Sequence, residues 1–410
     1  MKSIIRVFFL LITICASAQQ SATDSQVVKK SLQEKQTLEN TSIIKNVSFS
    51  NIGPTIMSGR VADIDVNPND PTEFYVGYAS GGLWYTKNNG TSFKPVLDNS
   101  PTQNIGDIAV DWKKGTIWVG TGEKNSSRSS YAGIGMLKSD NQGLTWEHVG
   151  LPDSHHVSRI IINANNPEEV VVGVIGHLYS PNEERGIFKT IDGGKTWRKT
   201  LFINSSTGII DVVVAPENPH VMYAASWERE RKAWNFDGDG NNSAIYKSTD
   251  GGDTWENISS NNGFRNGAGV GRIGLSVYDE NTVYALHDSQ FRRASKEKKK
   301  QAFNGLTKED FKKMSKDEFL KLTDKKLNNY LKSNRFQEKY RADNVKSMVR
   351  GGAVIPADLA TYLEDANAML FDTPVIGAEV YKSMDGGLTW SKTHEGFLDG
   401  IYYSYGYYFG

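Results

Sequence analysis

An eight-residue motif repeats five times along the chain and constrains its fold more than any other feature. It reads Thr190-Ile191-Asp192-Gly193-Gly194-Lys195-Thr196-Trp197, Ser248-Thr249-Asp250-Gly251-Gly252-Asp253-Thr254-Trp255 and Ser383-Met384-Asp385-Gly386-Gly387-Leu388-Thr389-Trp390. Two variants carry Asn at the third position: Ser139-Asp140-Asn141-Gln142-Gly143-Leu144-Thr145-Trp146 and Thr86-Lys87-Asn88-Asn89-Gly90-Thr91-Ser92-Phe93. The logic is that of a hairpin turn. A side-chain oxygen of Asp or Asn accepts backbone N–H bonds, and Gly takes the positive φ that other residues avoid. The terminal Trp or Phe folds back as an apolar plug. Each copy follows an apolar stretch ending in Lys and Ser or Thr (GIFKT, AIYKS, AEVYKS) and precedes another, so it is the turn joining two strands. Asn88, Asn141, Asp192, Asp250 and Asp385, with Trp146, Trp197, Trp255 and Trp390, are therefore expected to be structural.

The copies begin at residues 86, 139, 190, 248 and 383, at intervals of 53, 51, 58 and 135. Four strands can be read in each unit: Val61–Val66, Phe74–Tyr78, Leu83–Thr86 and Ser92–Leu97 in the first, and Ser158–Asn163, Glu169–Val174, Ile187–Thr190 and Trp197–Ile203 in the third. Pro-containing turns (NPNDP, NANNP, APENP) separate the first two strands of a unit. Four short strands per roughly 50-residue unit predict an all-β fold, a β-propeller of four-stranded blades. Five blades read as complete. Gly400–Gly410 reads as the first strand of a sixth, where the sequence stops, which suggests a fragment. The long last interval is filled by Ser289 to Asp372. Thr307-x-x-Asp310 and Ser315-x-x-Glu318 are helix start signals there, and Pro356 opens a final helix expected to reach Ala368. The domain reading is thus a propeller over residues 46–410 carrying a helical, basic insertion at 289–372 within blade five.

The first eighteen residues place Lys2 and Arg6 before an apolar run from Val7 to Ile14 and then Ala16-Ser17-Ala18, the order of a secretory signal cleaved after Ala18. The only cysteine, Cys15, lies inside it. The mature chain would then have neither disulfides nor thiolate metal sites. Secretion, or retention in the periplasm or at the cell surface, is expected. Residues 19–45 are a polar leader, mobile or a lone helix. No later stretch holds the ~18 apolar residues that a transmembrane helix needs.

The S/T-x-D-x-G-x-T-W motif resembles the Asp box, or bacterial neuraminidase (BNR) repeat, of sialidases, xyloglucan-cleaving two-propeller endoglucanases and sortilin-type N-terminal propellers. From about Ser50 to Gly410 the chain is most similar to the sortilin N-terminal-like, "glycosyl hydrolase-like" proteins exported by bacteria, notably at NIGPTIMSGRVADIDVNPNDP and DTPVIGAEVYKSMDGGLTW. The resemblance implies a fold more than an activity, because the same repeat serves enzymes and receptors. It also implies departures from the enzymes. The two-propeller endoglucanases carry a catalytic Asp just before the Gly-Gly of blade one, where this chain has Tyr78-Ala79-Ser80-Gly81-Gly82. Sialidases need an early Arg-x-Pro, and Arg60-Val61-Ala62 does not match. An enzyme reading would need a different catalytic pair.

In a four-stranded blade the second-to-third-strand loops leave the face opposite the motif turns. Those loops are the long ones here: Gly122–Gly133, Gly176–Gly186, Trp227–Ser243 and the insertion. Function is expected on that face. Its candidate ligand-binding residues are Arg60, Glu123, Arg128, His177, Arg185, Trp227 and Arg229, with Ser58, His155, His156, Arg159 and Glu184 nearby. Guanidinium and carboxylate groups offer bidentate bonds, and indole offers stacking, to a sugar or peptide. The weak catalytic candidates are Glu123, Glu184 and Glu228, since a glycosidase needs two carboxylates about 5–10 Å apart. Glu–Arg pairs that saturate one another would favour binding without hydrolysis.

Asp237-Gly238-Asp239-Gly240-Asn241-Asn242 resembles the start of a calcium loop, but Asn242 and Ser248 stand where Gly and Glu are required. His155-His156 shows no third ligand in the sequence, so neither a metal nor a cofactor is expected. Residues 291–350 hold 19 Lys plus Arg against 8 Asp plus Glu in a chain of zero net charge. This basic insertion is read as a solvated helical cap standing over the long-loop face or as a docking surface for an acidic partner. Nucleic acid is a poor fit, because the lysines have little aromatic interleaving. The leading expectation is a recognition propeller for a peptide, protein or glycan. The alternative is a carbohydrate-active hydrolase.

Overall fold

The computed structural model describes residues 22–47, 59–127, 130–232, 235–260, 262–293, 305–334, 336–361 and 375–398. The signal segment, Ser58, Arg128 and the strand expected at Gly400–Gly410 lie outside them. The described chain is mostly β, with five four-stranded antiparallel sheets in a propeller-like arrangement.

The first sheet is formed by β1 (Val61–Val66), β2 (Phe74–Tyr78), β3 (Gly82–Thr86) and β4 (Lys94–Pro95), and the second by β5 (Ile105–Asp111), β6 (Thr116–Thr121), β7 (Met136–Ser139) and β8 (Glu147–His148). The third is formed by β9 (Val157–Ile162), β10 (Val170–Val174), β11 (Gly186–Thr190) and β12 (Arg198–Leu201). In the fourth, β13 (Thr207–Ala215), β14 (Asn218–Glu228), β17 (Ile245–Ser248) and β18 (Glu256–Asn257) pair in that order. A two-stranded ribbon of β15 (Glu230–Arg231) and β16 (Phe236–Asp237) projects from it. The fifth is β19 (Val270–Val277), β20 (Val283–Arg292), β21 (Val375–Ser383) and β22 (Ser391–Lys392). The fourth strands are shorter than the sequence suggests, because beyond two to four residues the chain turns away to enter the next sheet.

Alternation along the strands places the core between successive sheets. Val170, Val172 and Val174 face Trp118 and Met136 of the second sheet, whereas Val171 packs with Met222 and Ala224 of the fourth. The first strands lie side by side, β1 against β5, β5 against β9, β9 against β13 and β13 against β19. The approach between β5 and β9 requires glycine at Gly106, where a Cβ would sit 2.0 Å from the carbonyl oxygen of Val157.

The five motif turns share one set of bonds. In the third sheet Asp192 Oδ1 accepts the Thr196 amide at 2.9 Å, and Oδ2 accepts the Thr196 hydroxyl at 2.6 Å. Thr190 Oγ1 accepts the Gly194 amide at 3.0 Å. Asn141 substitutes by reversing one bond: its Oδ1 still accepts the Thr145 amide at 2.9 Å, while its Nδ2 donates to the Thr145 hydroxyl at 2.8 Å. Gly193 (φ +71°) and Gly194 (φ +91°) are both left-handed, and Asn89 (φ 54°) and Gln142 (φ 59°) adopt this conformation in the variant boxes. The residue at this fourth position donates its amide to the first hairpin of its own sheet, at or beside its turn: Asn89 to Thr72, Gln142 to Gly115, Gly193 to Glu168, Gly251 to His220 and Gly386 to Asn281. Motif turns and first hairpin turns therefore share one end of each sheet. The antiparallel order puts the second-to-third-strand loops at the other end.

The motif tryptophans reach into the preceding sheet. Trp146 Nε1 donates to the Val96 carbonyl at 2.8 Å, Trp197 to Val149 at 2.6 Å, Trp255 to Thr200 Oγ1 at 3.2 Å and Trp390 to Ile258 at 3.0 Å. Each of these four boxes is thus a turn within one sheet and a clamp onto its neighbour.

Phe291–Ile376 form a separate compact unit between the second and third strands of the fifth sheet. Strand β20 continues through Arg292, so Ser289 and Gln290 belong to the sheet. Leader helix α1 spans Ser25–Thr41 in the first unit and is capped by Asp24. In the second unit α2 (Lys308–Lys313) and α3 (Lys316–Leu320) begin at capping boxes of Thr307 with Asp310 and Ser315 with Glu318. Helices α4 (Asp324–Ser333), α5 (Ala342–Arg350) and α6 (Pro356–Thr361) follow. This unit buries its own core of Phe311, Phe319, Leu327, Tyr330, Leu331, Val345 and Val349, with Met314 and Leu322 at its edge.

Two outcomes follow from the clamp and the turn. Trp390 is 5% exposed, so Trp390→Ala should cost about 3–5 kcal/mol and Trp390→Phe, which removes the indole donor and part of the buried ring, about 1–3 kcal/mol, by denaturant titration. The Thr196 hydroxyl and amide hold the Asp192 carboxyl down to about 2. The Thr389 bonds do the same for Asp385, and at Asp250 the Thr254 bonds bring the value to about 2 against burial. These folded values lie below the unfolded ~3.9, so the carboxylates stabilise the fold above about pH 4 and lose that contribution as pH falls toward 2. Converting all three to Asn should flatten melting temperature against pH across that window; a slope equal to the parent's would refute the assignment.

Candidate functional site

The described sequence-selected residues lie toward the long-loop end, and three loops interlock there through backbone carbonyls. His156 Nδ1 contacts the Glu123 carbonyl at 2.8 Å, joining the entry to the third sheet to the Gly122–Gly133 loop. Arg229 in the fourth sheet donates to the carbonyls of His177 and Leu178 at 3.4 and 3.5 Å. Arg231 donates through Nε to the Ser126 carbonyl at 3.0 Å, spanning from the fourth sheet to the second.

The carboxylate candidates are each engaged. Glu123, 1% exposed, receives Arg60 Nε and Nη2 at 2.6 Å apiece. This is a bidentate pair between the first and second sheets. Glu184 accepts the Asp153 amide at 2.8 Å, and burial pushes its carboxyl upward. Glu228 Oε2 accepts the Asn242 amide at 2.9 Å and Nδ2 at 3.1 Å. Asn242 belongs to the stretch that resembles a calcium loop, and the carbonyl of Gly238 in that stretch accepts Trp227 Nε1 at 2.8 Å.

Trp227 is 1% exposed and Arg185 2% exposed. Arg185 spends its donors on Asn182 Oδ1 and on the carbonyls of Ile175, Ser206, His177 and Ser180. His177 is held at both nitrogens, Nδ1 to Ser180 Oγ and Nε2 to Asp153 Oδ1, each at 2.9 Å. His155, with φ 53°, stacks on it with ring centroids 3.7 Å apart. Sequence reading paired His155 with His156 and found no third ligand. The structure instead brings Asp153, His155 and His177 together, with ligand atoms within 4.8 Å of one another. Asp153, His177 and Ser180 form a hydrogen-bonded chain through the two His177 nitrogens, and His155 joins it by ring stacking. Asp153 and Ser180 were missed because their nearest partners lie across a loop or 24 positions away in sequence.

A second constellation was also missed. Each first strand has a register shift near its start and presents a charge at or beside it: Asp63, Asp107, Arg159, Asp211 and Arg272, in the repeated frame Ala-Asp-Ile, Gly-Asp-Ile, Ser-Arg-Ile, Ile-Asp-Val and Gly-Arg-Ile. Carboxylates in this set reach to the next sheet's backbone: Asp63 accepts Ile108 N at 3.2 Å, Asp107 accepts Ile160 N at 2.8 Å and Asp211 accepts Leu275 N at 2.9 Å. Arg159 bridges Asp107 and Asp211, and Lys124 adds a bond to Asp107 at 3.1 Å. Burial pushes the Asp107 carboxyl upward and these cations oppose it. A shared frame of small or apolar residue, charge and β-branched residue was the available sequence signal.

The profile of the Sortilin-Vps10 family, described as "Sortilin, neurotensin receptor 3,", matches residues 135–347, just over half of the chain. The xyloglucanase Xgh74A of Acetivibrio thermocellus is 25% identical over 214 residues, covering 47% of this chain and 24% of that protein. The chain therefore spans about a quarter of the length of the curated relatives it matches. Among solved structures, the GH74 xyloglucanase of Xanthomonas campestris aligns with 82% of this chain and 38% of its own at 13% identity and a TM-score of 0.44. The GH74 enzyme of Niastella koreensis aligns with 81% and 38% at 17% identity and a TM-score of 0.43.

The histidine cluster generates a pH signature. Burial, reinforced by the neighbouring His177 and Arg185 and opposed by Asp153, pushes His155 down to about 4. Its unfolded value is near 6.5, so the unfolded chain binds the extra proton between those limits and stability falls as pH drops from about 6.5 to 4. His155→Asn, which tolerates the positive φ, should reduce that slope by up to one proton in melts followed from pH 7.5 to 4; an unchanged slope would place the uptake elsewhere.

Proposed function

Because the chain belongs to the Sortilin-Vps10 family of Asp-box propellers, we propose that it is an exported recognition propeller that holds a peptide, protein or glycan on its long-loop face without cleaving it. The observation that carries this reading is the state of Glu123. A nucleophile or general acid must face its substrate with a free oxygen, whereas both Glu123 oxygens are occupied by the Arg60 fork. Glu184 and Glu228 each accept protein donors through Oε2. These Glu–Arg and Glu–amide bonds fix loop shape, and pre-organised loops reduce the ordering cost of binding. The basic composition of 291–350 adds a surface suited to an acidic partner, with an affinity that falls as salt rises.

A second reading is a xyloglucan-directed hydrolase, favoured by the match to the Acetivibrio xyloglucanase. The two readings separate in one assay pair. On a glycan microarray and a displayed peptide library the protein should bind a subset saturably, and incubation with xyloglucan should release no reducing ends above a heat-inactivated control. Reducing ends that disappear with Glu123→Gln would establish the hydrolase, and absence of binding on both arrays would remove the recognition reading.

A further inference from the structure

Arg229 is 4% exposed, and its Nε is buried without a hydrogen-bond partner. Its Nη1 contacts to two carbonyls are long, and its guanidinium carbon lies 5.7 Å from the Trp227 ring centre. No carboxylate pairs with Arg229 or with Arg185 among the described residues. Burial and the neighbouring charges of Arg185 and Arg231 push Arg229 well below its ordinary value. A buried cation lacking a counter-charge is costly, and the cost is relieved when an anion enters. Arg229 also lines a cavity of about 50 Å³ together with Ser180, Arg185, Ser206, Tyr179 and Glu230. Glu230 belongs to its exposed rim and pairs with Lys232 at 3.2 Å. Tyr179 is 42% exposed.

We infer that this cavity is a subsite for one oxyanion, the carboxylate or sulfate group of an acidic saccharide, docked on Arg229 with Tyr179 as a platform for the sugar ring. The volume suits one such group and excludes a pyranose ring. Arg185, whose donors are spent on carbonyls, contributes charge rather than bonds. Ser180 and Ser206 line the walls, and the apolar face of a tyrosine ring offers a stacking surface for a pyranose. The inference rests on the recognition reading above and specifies the charge of its ligand.

The test uses the full chain at constant ionic strength, with sodium chloride balancing each addition. D-glucuronate, inorganic sulfate, D-glucose and a short peptide with a free carboxyl terminus are titrated separately, followed by melting temperature and by calorimetry. Glucuronate should bind saturably and raise the melting temperature by about 2–4 °C at ten times its Kd. Sulfate should bind more weakly and glucose not at all. Arg229→Gln should weaken glucuronate at least tenfold, with Arg229→Lys intermediate. Because Arg229 also packs near Trp227, Ser206→Phe, which fills the cavity and keeps the guanidinium, should abolish binding independently. Equal responses to glucuronate and glucose, or affinity unchanged in Arg229→Gln and Ser206→Phe, would overturn the subsite. Arg229-dependent binding of the peptide alone would overturn the saccharide assignment. Array binding that persists without any glucuronate response would overturn this subsite while leaving the recognition reading intact.

Discussion

The arrangement of sheets depends on the indole N–H of each motif tryptophan, which leaves its own sheet and donates to the end of the one before. Four such bonds join the first sheet to the second, the second to the third, the third to the fourth and the fourth to the fifth. A single four-stranded sheet with apolar residues on both faces cannot bury them alone. The box solves this locally, since the turn that closes a sheet also carries the group that fastens it to its neighbour. Phe93 in the first box lacks this donor, and packs edge-on against Phe74 of its own sheet instead. The first sheet has no preceding sheet among those described, so the departure falls where an indole clamp would lack this partner.

The opposite requirement arises where the first strands converge. Close approach leaves little room for apolar bulk, and each strand presents a charged side chain at or beside its register shift. Asp107, Arg159 and Asp211 satisfy one another, and Asp carboxylates additionally accept amides of the next strand. Opposite charges from Asp107 to Arg272 make this burial tolerable, while the adjacent like charge of Asp63 works against Asp107. The box end supplies apolar and indole contacts, and the converging strands supply polar ones.

At the long-loop end the same economy shapes the candidate site. Loops of eleven to seventeen residues carry many backbone polar groups, and buried arginines satisfy their carbonyls: Arg185 alone serves four. Acidic residues meet either an arginine, as at Glu123, or backbone amides, as at Glu184 and Glu228. Arg229 departs from this pattern, since its Nε is left without an acceptor. The buried Ser126 and Ser154 hydroxyls at this end also lack partners, but Arg229 Nε belongs to a cation, and it is where an anionic ligand can supply what the protein does not.

The sequence alone determined the repeat, the strand pairs flanking each box, and the helix starts at Thr307 and Ser315, because hairpin turns and capping boxes are made by residues within about four positions of one another. It also determined which loops are long, and so at which end function is to be sought. Only the tertiary structure decided what the charged residues there do. Arg60 and Glu123 are 63 positions apart, and Arg231 and Ser126 are 105 apart. Glu123 could be read as catalytic, ligand-binding or structural until its partner was in place, and Trp227 could be read as a stacking surface until it was found buried. The inner row of Asp63, Asp107, Arg159, Asp211 and Arg272 went unread for the same reason. Its members share a local frame, but they acquire meaning only when strands roughly fifty residues apart lie side by side, and that distance is closed by packing between sheets rather than by any local turn.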